Sequence, residues 1–326
     1  MPDRGRILGV IGTMVWDTIW RESDVGSPVE EWGGITYALA AADAATLFDF
    51  KVRPVIKLGR DYAERGFRFL RELSVIESDE AISIVEAPNP RVELHYRGTV
   101  RRSEHLRGGV PSWTWAELAP RVAGCEALYV NFITGNEFDL ATAVELRQNF
   151  KGPIYADIHS LMLATGARGE RHPLPLSRWS EWLSCFDAVQ LNEAELRVLS
   201  SDWGDPWAFA ADIVGHMTPL IFVTLGAGGA AYVMSSDALP VSGKGRAQLR
   251  SGGGPIRTGR VSVEPLDAGD PTGCGDVWGI TAFGALLAGA DVEEAIRLAN
   301  LAAGRNVLHR GASGLNWFLR GGIERV

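Results

Sequence analysis

Short apolar runs alternate with stretches of helical periodicity over most of this chain. The apolar runs predict strands at Ile7–Ile11, Val55–Leu58, Ala127–Asn131, Ile154–Asp157, Ala188–Leu191 and Ile221–Leu225. The helical periodicity predicts helices at Tyr37–Phe48, Tyr62–Leu73, Leu140–Asn149, Glu193–Leu199, Trp207–His216, Gly275–Ala288 and Val292–Leu308. Such alternation is typical of a mostly parallel sheet with helices on both faces. The predicted fold class is therefore α/β, with three Rossmann-like layers, and we take residues 1–326 as a single domain.

Two segments depart from this alternation. Val15–Arg21 and Arg91–Leu106 are polar-rich and extended, and the second alternates as a half-exposed antiparallel strand would. We interpret them as a small β lid, formed by insertions at about 15–32 and 91–108, that closes over a substrate and excludes water. Two hairpins without a function are the alternative that the sequence leaves open.

A third irregular segment, Ser235–Arg260, contains the run SGGGP. Glycine and proline in such a run favour turns and flexible loops over regular structure. We expect a flexible surface loop near the nucleotide side.

Composition narrows the class of protein. Hydrophobic residues make up 46% of the chain, which is typical of a globular protein. The sequence has no run of the eighteen or so apolar residues that a membrane span needs. The net charge of −8 argues against nucleic-acid binding, which needs a basic field. The N-terminal segment lacks the pattern of a signal peptide, so we expect a cytoplasmic protein acting on small molecules. Cys125, Cys185 and Cys274 have no metal-ligand spacing, and we interpret the first two as core thiols.

The most informative run is Asp270-Pro-Thr-Gly-Cys-Gly-Asp276, which leads directly into an apolar helix. Its glycines leave little side chain over the helix start, so backbone N–H groups and the helix dipole can face an anion. A carboxylate at Asp276 could then accept a proton from a substrate hydroxyl while the amides stabilise a phosphoryl group. The local alternative is an ordinary glycine-rich loop with Asp276 as a helix-start residue.

This run resembles the Asp-Thr-x-Gly-Ala-Gly-Asp signature of the PfkB, or ribokinase-like, carbohydrate kinases, with Pro271 and Cys274 as departures. The resemblance continues in order from about Gly12 to Ala312. It implies a ribokinase-like fold and a phosphotransferase that uses ATP and Mg²⁺ to phosphorylate a hydroxyl of a sugar or sugar-like molecule. Asp276 would be the base, and the stretch Gly273, Cys274 and Gly275 would form the anion hole.

For the acceptor, the resemblance implies that Asp17 binds substrate hydroxyls, because an ionised carboxylate can accept two hydrogen bonds. A solvated strand-end aspartate is its local alternative. Further substrate contacts implied by the resemblance are Gly33, Gly34, Thr36 and Asn131. Many family members carry an asparagine where this chain has Ala38, which leaves the identity of the substrate open.

For the donor, the resemblance implies that Asn192 and Glu195 form the family's Asn-x-x-Glu element, with Glu195 holding Mg²⁺ through water. The same two residues fit a plain capping box, which is the local alternative. Further nucleotide contacts implied by the resemblance are Thr224, Gly226, Gly229, Thr272 and Asn300.

Two further assignments follow from the resemblance alone. Asp270 and the loop around Arg310–Ala312 would border the monovalent-cation site of some members, such as one for K⁺. His159 stands where some sugar kinases of the family have an asparagine, so it could touch phosphate or substrate. A histidine that caps a strand end through backbone hydrogen bonds is the alternative.

The sequence also bears on three other functions and on whether the chain forms a dimer. A nucleoside kinase has the same fold and loop, and Trp16 with Trp32 could stack on a base. A non-catalytic sugar or nucleotide sensor would be expected to lack Asp276, which is present. A dinucleotide-binding oxidoreductase is disfavoured because the turn at Gly9–Thr13 lacks the full G-x-G-x-x-G spacing. The resemblance also allows a homodimer formed through the lid.

Overall fold

Sixteen strands, ten α-helices and three short 3-10 helices occur in the computed structural model, which describes residues 6–21, 27–45, 50–97, 100–236, 254–264 and 269–321. The strands are Arg6–Ile11 (β1), Met14–Arg21 (β2), Val29–Gly34 (β3), Phe50–Val55 (β4), Lys57–Gly59 (β5), Ser83–Val85 (β6), Arg91–Arg97 (β7), Val100–Arg107 (β8), Ala127–Asn131 (β9), Ile154–Asp157 (β10), Leu163–Thr165 (β11), Arg171–Pro173 (β12), Ala188–Asn192 (β13), Leu220–Thr224 (β14), Ala230–Ser235 (β15) and Ile256–Val261 (β16). The helices are Ile35–Ala44 (α1), Ala63–Arg71 (α2), Trp115–Val122 (α3), Leu140–Asn149 (α4), Trp179–Leu183 (α5), Glu193–Leu199 (α6), Pro206–His216 (α7), Cys274–Leu287 (α8), Val292–Asn306 (α9) and Leu315–Leu319 (α10).

Eight strands form the central sheet in the order β16-β15-β14-β13-β10-β9-β1-β4. The six strands from β14 to β4 are parallel, and β15 and β16 add an antiparallel edge. Strands β9, β10 and β14 are apolar and buried almost throughout, as expected where helices cover both faces. The predicted α/β class with a mostly parallel sheet is confirmed.

Two hydrophobic clusters cover the two faces of the sheet. One contains α1, α8 and α9, and the other contains α4, α5 and α7. Alternate residues of β9 divide between them, since Tyr129 packs in the first cluster and Leu128 and Val130 in the second. The period-2 geometry of a strand therefore produces the three layers. Within the described part of the chain, no helix has the length and apolarity required to cross a bilayer.

A separate four-stranded sheet, β3-β2-β7-β8, is built from the two segments interpreted as a lid. Strand β7 runs antiparallel to β8 but parallel to β2, so the expectation of antiparallel pairing is correct on one side only. Strand β3, which ends in the di-glycine pair, was not predicted. It pairs antiparallel with β2 and leads directly into α1.

Two predictions are wrong. The expected strand Val55–Leu58 is instead the end of β4 and the start of β5, with Ile56 between them. The expected loop Ser235–Arg260 overlaps a strand at each end, because Ser235 closes β15 and Ile256–Val261 pairs with β15 along its whole length. Residues 237–253 of that segment lie outside the described residues. The sequence did not predict this strand because Ile256–Val261 is a largely exposed edge strand with only two apolar residues.

Candidate active site

The glycine-rich loop begins helix α8, as the sequence predicts. Gly273 is the residue that precedes the first helical turn, and its φ of 75° lies in the left-handed region. The N–H of Cys274 donates to the carbonyl of Pro271 at 3.1 Å, so this amide is already used. Among the described residues, we find no backbone acceptor for the N–H groups of Gly273 and Gly275. The anion hole available at this helix start is therefore built on those two glycines.

The carboxylate of Asp276 lies in the first turn of α8 and keeps part of its surface exposed. Its Oδ1 accepts a hydrogen bond of 2.6 Å from the side-chain amide of Asn131, which ends strand β9. Burial raises the pKa of Asp276 to about 7, while His159 lowers it, Asp157 raises it and the hydrogen bond from Asn131 lowers it. A carboxylate with a pKa near neutrality is suited to proton transfer.

Strand β10 brings a second carboxylate and an imidazole to the same helix start. Asp157 pairs in register with Asn131, and its Oδ1 lies 2.9 Å from Nδ1 of His159. Burial acts to lower the pKa of His159, but the charge and hydrogen bond of Asp157, with Glu195 and Asp276, raise it to about 9. At neutral pH the His159 ring is therefore an imidazolium, and its charge acts on the pKa of Asp276. The expectation of a purely backbone-bonded histidine is not what the structure shows.

The two glycines of the anion hole have different roles. An added Cβ on Gly273 would lie 2.2 Å from the ring of Tyr37 in α1, whereas one on Gly275 would meet nothing closer than 3.7 Å. Gly273 is thus required by helix packing and by its positive φ, and the loop is held against α1. Gly275 leaves open space beside the polar groups of Gln190 and Asp157.

This contrast gives a first prediction. Gly273→Ala should lower the free energy of unfolding by at least about 1–2 kcal/mol, because a side chain is strained at that φ and has no space. Gly275→Ala, in the same loop, should leave stability unchanged within about 0.5 kcal/mol. Chemical denaturation of both variants checks this, and equal stability of the two would contradict the packing role of Gly273.

Gln190 is a residue that the sequence analysis missed. Its side chain is buried in β13, accepts a hydrogen bond from the hydroxyl of Tyr155 at 2.8 Å and donates to the carbonyl of Gly275 at 3.0 Å. It therefore ties the start of α8 to the sheet. The signal that could have found it is a glutamine in the middle of an otherwise apolar strand, since buried amides need partners.

On the acceptor side, Asp17 lies buried in β2 of the four-stranded sheet. Burial raises its pKa well above the usual range, and the negative charges of Glu104, Asp276, Asp270 and Glu31 raise it further. An added Cβ on Gly33 would lie 1.8 Å from the Asp17 carboxylate. The glycine is therefore needed because the carboxylate lies directly against its backbone.

The remaining acceptor candidates take part in contacts around the turn before α1 or at the end of β9. Gly34 precedes α1 with a φ of 64°, and an added Cβ would lie 2.6 Å from the carbonyl of Thr13. Thr36 is fully buried, and its hydroxyl donates to the carbonyl of Gly33 at 2.9 Å. Asn131 is the candidate that reaches the glycine-rich loop, and its buried Oδ1 has no hydrogen-bond partner among the residues that the structure describes.

Trp16 and Trp32 lie on the face of the small sheet opposite Asp17. They pair in register and pack edge to face at 5.3 Å between ring centroids, with Tyr62 against both. Asp17 pairs with Glu31 on the other face, because successive residues of a strand point to opposite sides. The two tryptophans are therefore a packing cluster, and the expectation that they stack on a base is not supported.

Side chains from the small sheet contact the loops around Asp276. Arg21 forms an ion pair with Asp270, and the hydroxyls of Tyr96 and Thr272 are hydrogen bonded at 3.1 Å. Arg171, which is almost fully buried, pairs with Glu104 of β8 at 2.9 Å and donates to the carbonyls of Ile133 and Thr134. The small sheet is thus held against the loops around Asp276 by charged and polar contacts.

On the donor side, Asn192 and Glu195 form a capping box at the start of α6. The Asn192 side chain accepts from the N–H of Glu195 at 2.9 Å, and the Glu195 carboxylate accepts from the N–H of Asn192 at 2.7 Å. The local alternative from the sequence is therefore present. It is compatible with a role in metal binding, because a carboxylate has further lone pairs that water can reach.

The turn after β14 contains the other donor candidates. Thr224 ends the strand, Gly226 has open space around it, and an added Cβ on Gly229 would lie 2.1 Å from the carbonyl of Val261. Asn300 is buried in α9, accepts from the indole N–H of Trp278 at 2.8 Å and donates to the carbonyl of Val261 at 3.2 Å. Its amide is therefore hydrogen bonded within the protein through both its oxygen and its nitrogen.

The arrangement of possible metal ligands and the burial of the three cysteines bear on the remaining predictions. Within the described residues, no group of three or more His, Cys, Asp and Glu side chains is arranged to hold a metal. All three cysteines are free thiols, Cys185 is buried and Cys125 only partly so, which corrects one of the two expected core thiols. Burial raises the pKa of Cys274 to about 11, so this thiol is un-ionised and unreactive at neutral pH.

Comparison with known proteins gives the family. The model of the pfkB family of carbohydrate kinases matches residues 146–317, which is more than half of the chain. The chain belongs to the PfkB family. Members of this family are phosphotransferases with hydroxyl acceptors, so the predicted enzyme class is confirmed. No curated protein matches the chain.

Solved structures of PfkB relatives have the same fold at low identity. A pyrophosphate-dependent kinase in the ribokinase family is 17% identical with a TM-score of 0.72, covering 94% of this chain and 96% of its own. The nucleoside kinase of Burkholderia thailandensis, in complex with inosine, is 17% identical with a TM-score of 0.68, covering 95% and 93%. The ribokinase of Arabidopsis thaliana, complexed with ribose and ATP, is 15% identical with a TM-score of 0.65, covering 97% and 99%. These similarities establish the ribokinase-like fold.

Proposed function

We propose that this PfkB protein transfers the γ-phosphoryl group of ATP to a hydroxyl of a sugar or sugar-like molecule. The observation that carries the proposal is the Asp276 carboxylate, which lies in the first turn of α8, is held by Asn131 and has a pKa of about 7. Asp276 accepts the proton of the acceptor hydroxyl. The N–H groups of Gly273 and Gly275 stabilise the charge on the transferred phosphoryl group.

The acceptor end of the cleft favours a polyol over a nucleoside. Asp17 lies buried beside Gly33, and a carboxylate can accept hydrogen bonds from two adjacent hydroxyls. The tryptophans that would have stacked on a base pack on the opposite face instead. A nucleoside acceptor stays the second candidate because one relative is a nucleoside kinase with inosine bound.

Two cations were implied by the resemblance. Mg²⁺, which neutralises charge on donor phosphates when bound, fits Glu195 as an outer ligand through water. A monovalent cation fits less well, since the Asp270 carboxylate already pairs with Arg21 and accepts from the N–H of Thr272 at 3.0 Å. We therefore derive no step that needs a monovalent cation.

The direct test is phosphoryl transfer by the purified protein. It should be incubated with Mg²⁺ and a panel of sugars, polyols and nucleosides, with ATP and pyrophosphate as alternative donors, and phosphorylated products measured. We expect turnover with ATP and a polyol or sugar. Transfer from pyrophosphate alone would refute ATP as the donor, and no transfer to any acceptor would refute the kinase assignment.

We further propose that the enzyme works in the cytoplasm and forms a homodimer through the small sheet.

The role of Glu195 gives a second prediction. Glu195→Gln should raise the Mg²⁺ concentration needed for half-maximal activity, because it removes one negative charge and keeps the capping shape. Glu193→Gln is the matched control, since Glu193 lies in the same turn and pairs with the exposed Arg197. A Mg²⁺ dependence that is the same in both variants would leave Glu195 with its capping role alone.

A further inference from the structure

His159 is a cationic side chain at the catalytic loop that the mechanism above does not use. It opens a short 3-10 helix, His159–Met162, directly after β10. Both its backbone N–H and its Nδ1 bond to Oδ1 of Asp157, at 3.2 and 2.9 Å. The Asp157 side chain is 4% exposed and the imidazole 30% exposed. A buried carboxylate thus fixes the orientation of a partly exposed ring, and Nε2 lies on the side away from this bond.

The position of His159 along the cleft is the second observation. The charged groups that act on it come from three elements: Asp157 of β10, Glu195 of α6 and Asp276 of α8. Asp276 marks the acceptor end of the cleft, and Glu195 marks the donor end. Asp157 in turn lies beside the anion hole, since an added Cβ on Gly275 would lie 3.9 Å from its Oδ2. The imidazole, which bonds to the other oxygen of the same carboxylate, therefore lies near the anion hole that holds the transferred phosphoryl group in the proposed mechanism.

We propose that His159 is a catalytic residue whose Nε2–H, as part of an imidazolium, donates a hydrogen bond to the phosphoryl group in transit. The proposal rests on the phosphotransferase function proposed above. The acceptor oxygen forms the new P–O bond, its proton passes to Asp276, and the bond between γ-phosphorus and the ADP oxygen breaks. His159 keeps its proton throughout, and only its interaction with the negative charge strengthens.

The surroundings of His159 explain why this ring is charged. Three carboxylates act on it and hold its pKa at about 9, so it is protonated at neutral pH. The same positive charge lowers the pKa of Asp276, which keeps more of the base ionised. One side chain thereby acts on both the base and the transferred group. An asparagine at this position, as in some members of the family, would supply a hydrogen bond without the charge.

The test compares His159→Gln with wild type over pH 5.5–10 with ATP, Mg²⁺ and the best acceptor of the panel. In wild type we expect kcat/KM to rise as Asp276 ionises near pH 7 and to fall as His159 loses its proton near pH 9, since kcat/KM reports the ionisations of the free enzyme. In His159→Gln we expect kcat/KM at its plateau to fall about 100-fold and the decline near pH 9 to disappear. The rise near pH 7 should move to higher pH, because the cation beside Asp276 is gone.

His216→Gln is the matched control, since His216 is an exposed histidine on α7, far from the loop in sequence. It should retain the wild-type kcat/KM and pH profile. Asp157→Asn gives an independent check: it should move the decline near pH 9 to lower pH, because the carboxylate that raises the pKa of His159 is lost.

Each remaining outcome decides against the proposal. If His159→Gln shifts the rise near pH 7 but keeps the wild-type plateau, His159 acts only through Asp276 and does not touch the phosphoryl group. An unchanged plateau with an unchanged decline near pH 9 excludes any role in turnover. Wild-type protein that transfers no phosphoryl group refutes the proposed function itself, and this result is distinguishable because the control then shows no activity either.

Discussion

We expect Asp276→Asn to lower kcat by about 100-fold or more while ATP binding is retained. The substitution removes the proton acceptor but keeps the shape of the side chain and its contact with Asn131, which lies 2.6 Å away. The helix start and its amides are unchanged, so the anion hole should still bind phosphates. Steady-state kinetics and calorimetric titration with ATP measure the two quantities separately.

The free energy of unfolding distinguishes a loss of catalysis in Asp276→Asn from a loss of folding. Burial raises the pKa of Asp276 from 3.8 to about 7, so the folded protein binds a proton there that the unfolded chain releases between these values. Stability therefore falls as the pH rises from about 4 to 7, and above pH 7 the ionised buried carboxylate is a cost. Asp276→Asn removes that cost, and we expect the variant to be at least as stable as wild type at pH 8. A variant with near-wild-type turnover would refute the assignment of the base.

The second large effect concerns the acceptor. Asp17→Ala should raise the acceptor KM by about 10- to 150-fold, which corresponds to losing about 1.5–3 kcal/mol of hydrogen bonding to a charged group. The KM for ATP should change little. The reason is the position of Asp17 in the small sheet, on the face that carries Glu31, Gly33 and Glu104, and not at the donor turn after β14.

The pKa of Asp17 adds a pH test. Because burial and four nearby carboxylates hold this pKa well above its usual range, Asp17 gains a proton as the pH falls toward that raised value. Protonation removes an acceptor of hydrogen bonds, so the acceptor KM should rise as the pH is lowered. In Asp17→Asn this pH dependence of KM should be absent, since the side chain does not titrate.

Gly33→Ala provides an independent check of the same site. The new Cβ would lie 1.8 Å from the Asp17 carboxylate and must displace it. We expect a selective rise in the acceptor KM, in the same direction as for Asp17→Ala. If Asp17→Ala instead gave a selective defect for ATP, or none for either substrate, the acceptor pocket would lie elsewhere.

The sequence pattern of a single segment was enough to predict several strands and helices. Strands Ala127–Asn131 and Ile154–Asp157 and helices Leu140–Asn149 and Glu193–Leu199 have the predicted bounds. Continuous apolar runs mark the two strands, which are buried on both faces, and spaced apolar residues mark the two helices, which bury one face. Edge strands such as Ile256–Val261 were missed, since a strand that is exposed on its sides carries no such periodicity.

The order of motifs indicated the catalytic loop, and the family match is consistent with it. Asp276 follows glycines at a helix start, and both features are readable from adjacent residues. The tryptophans show the limit of patterns in adjacent residues. Trp16 is adjacent to Asp17 in sequence, but neighbours in a strand point to opposite faces, so the two side chains lie on different sides of the small sheet.

The sequence by itself determined the α/β class, the anion-hole loop and the candidate base, because these depend on short-range periodicity and on the local geometry of glycine. Only the tertiary structure decided which distant side chains meet that loop: Asn131 and Asp157 at the ends of neighbouring strands, Gln190 beneath Gly275, and Arg21 against Asp270. The strand order of the sheet sets these contacts. That order arises from the packing of the whole chain, and no local pattern encodes it.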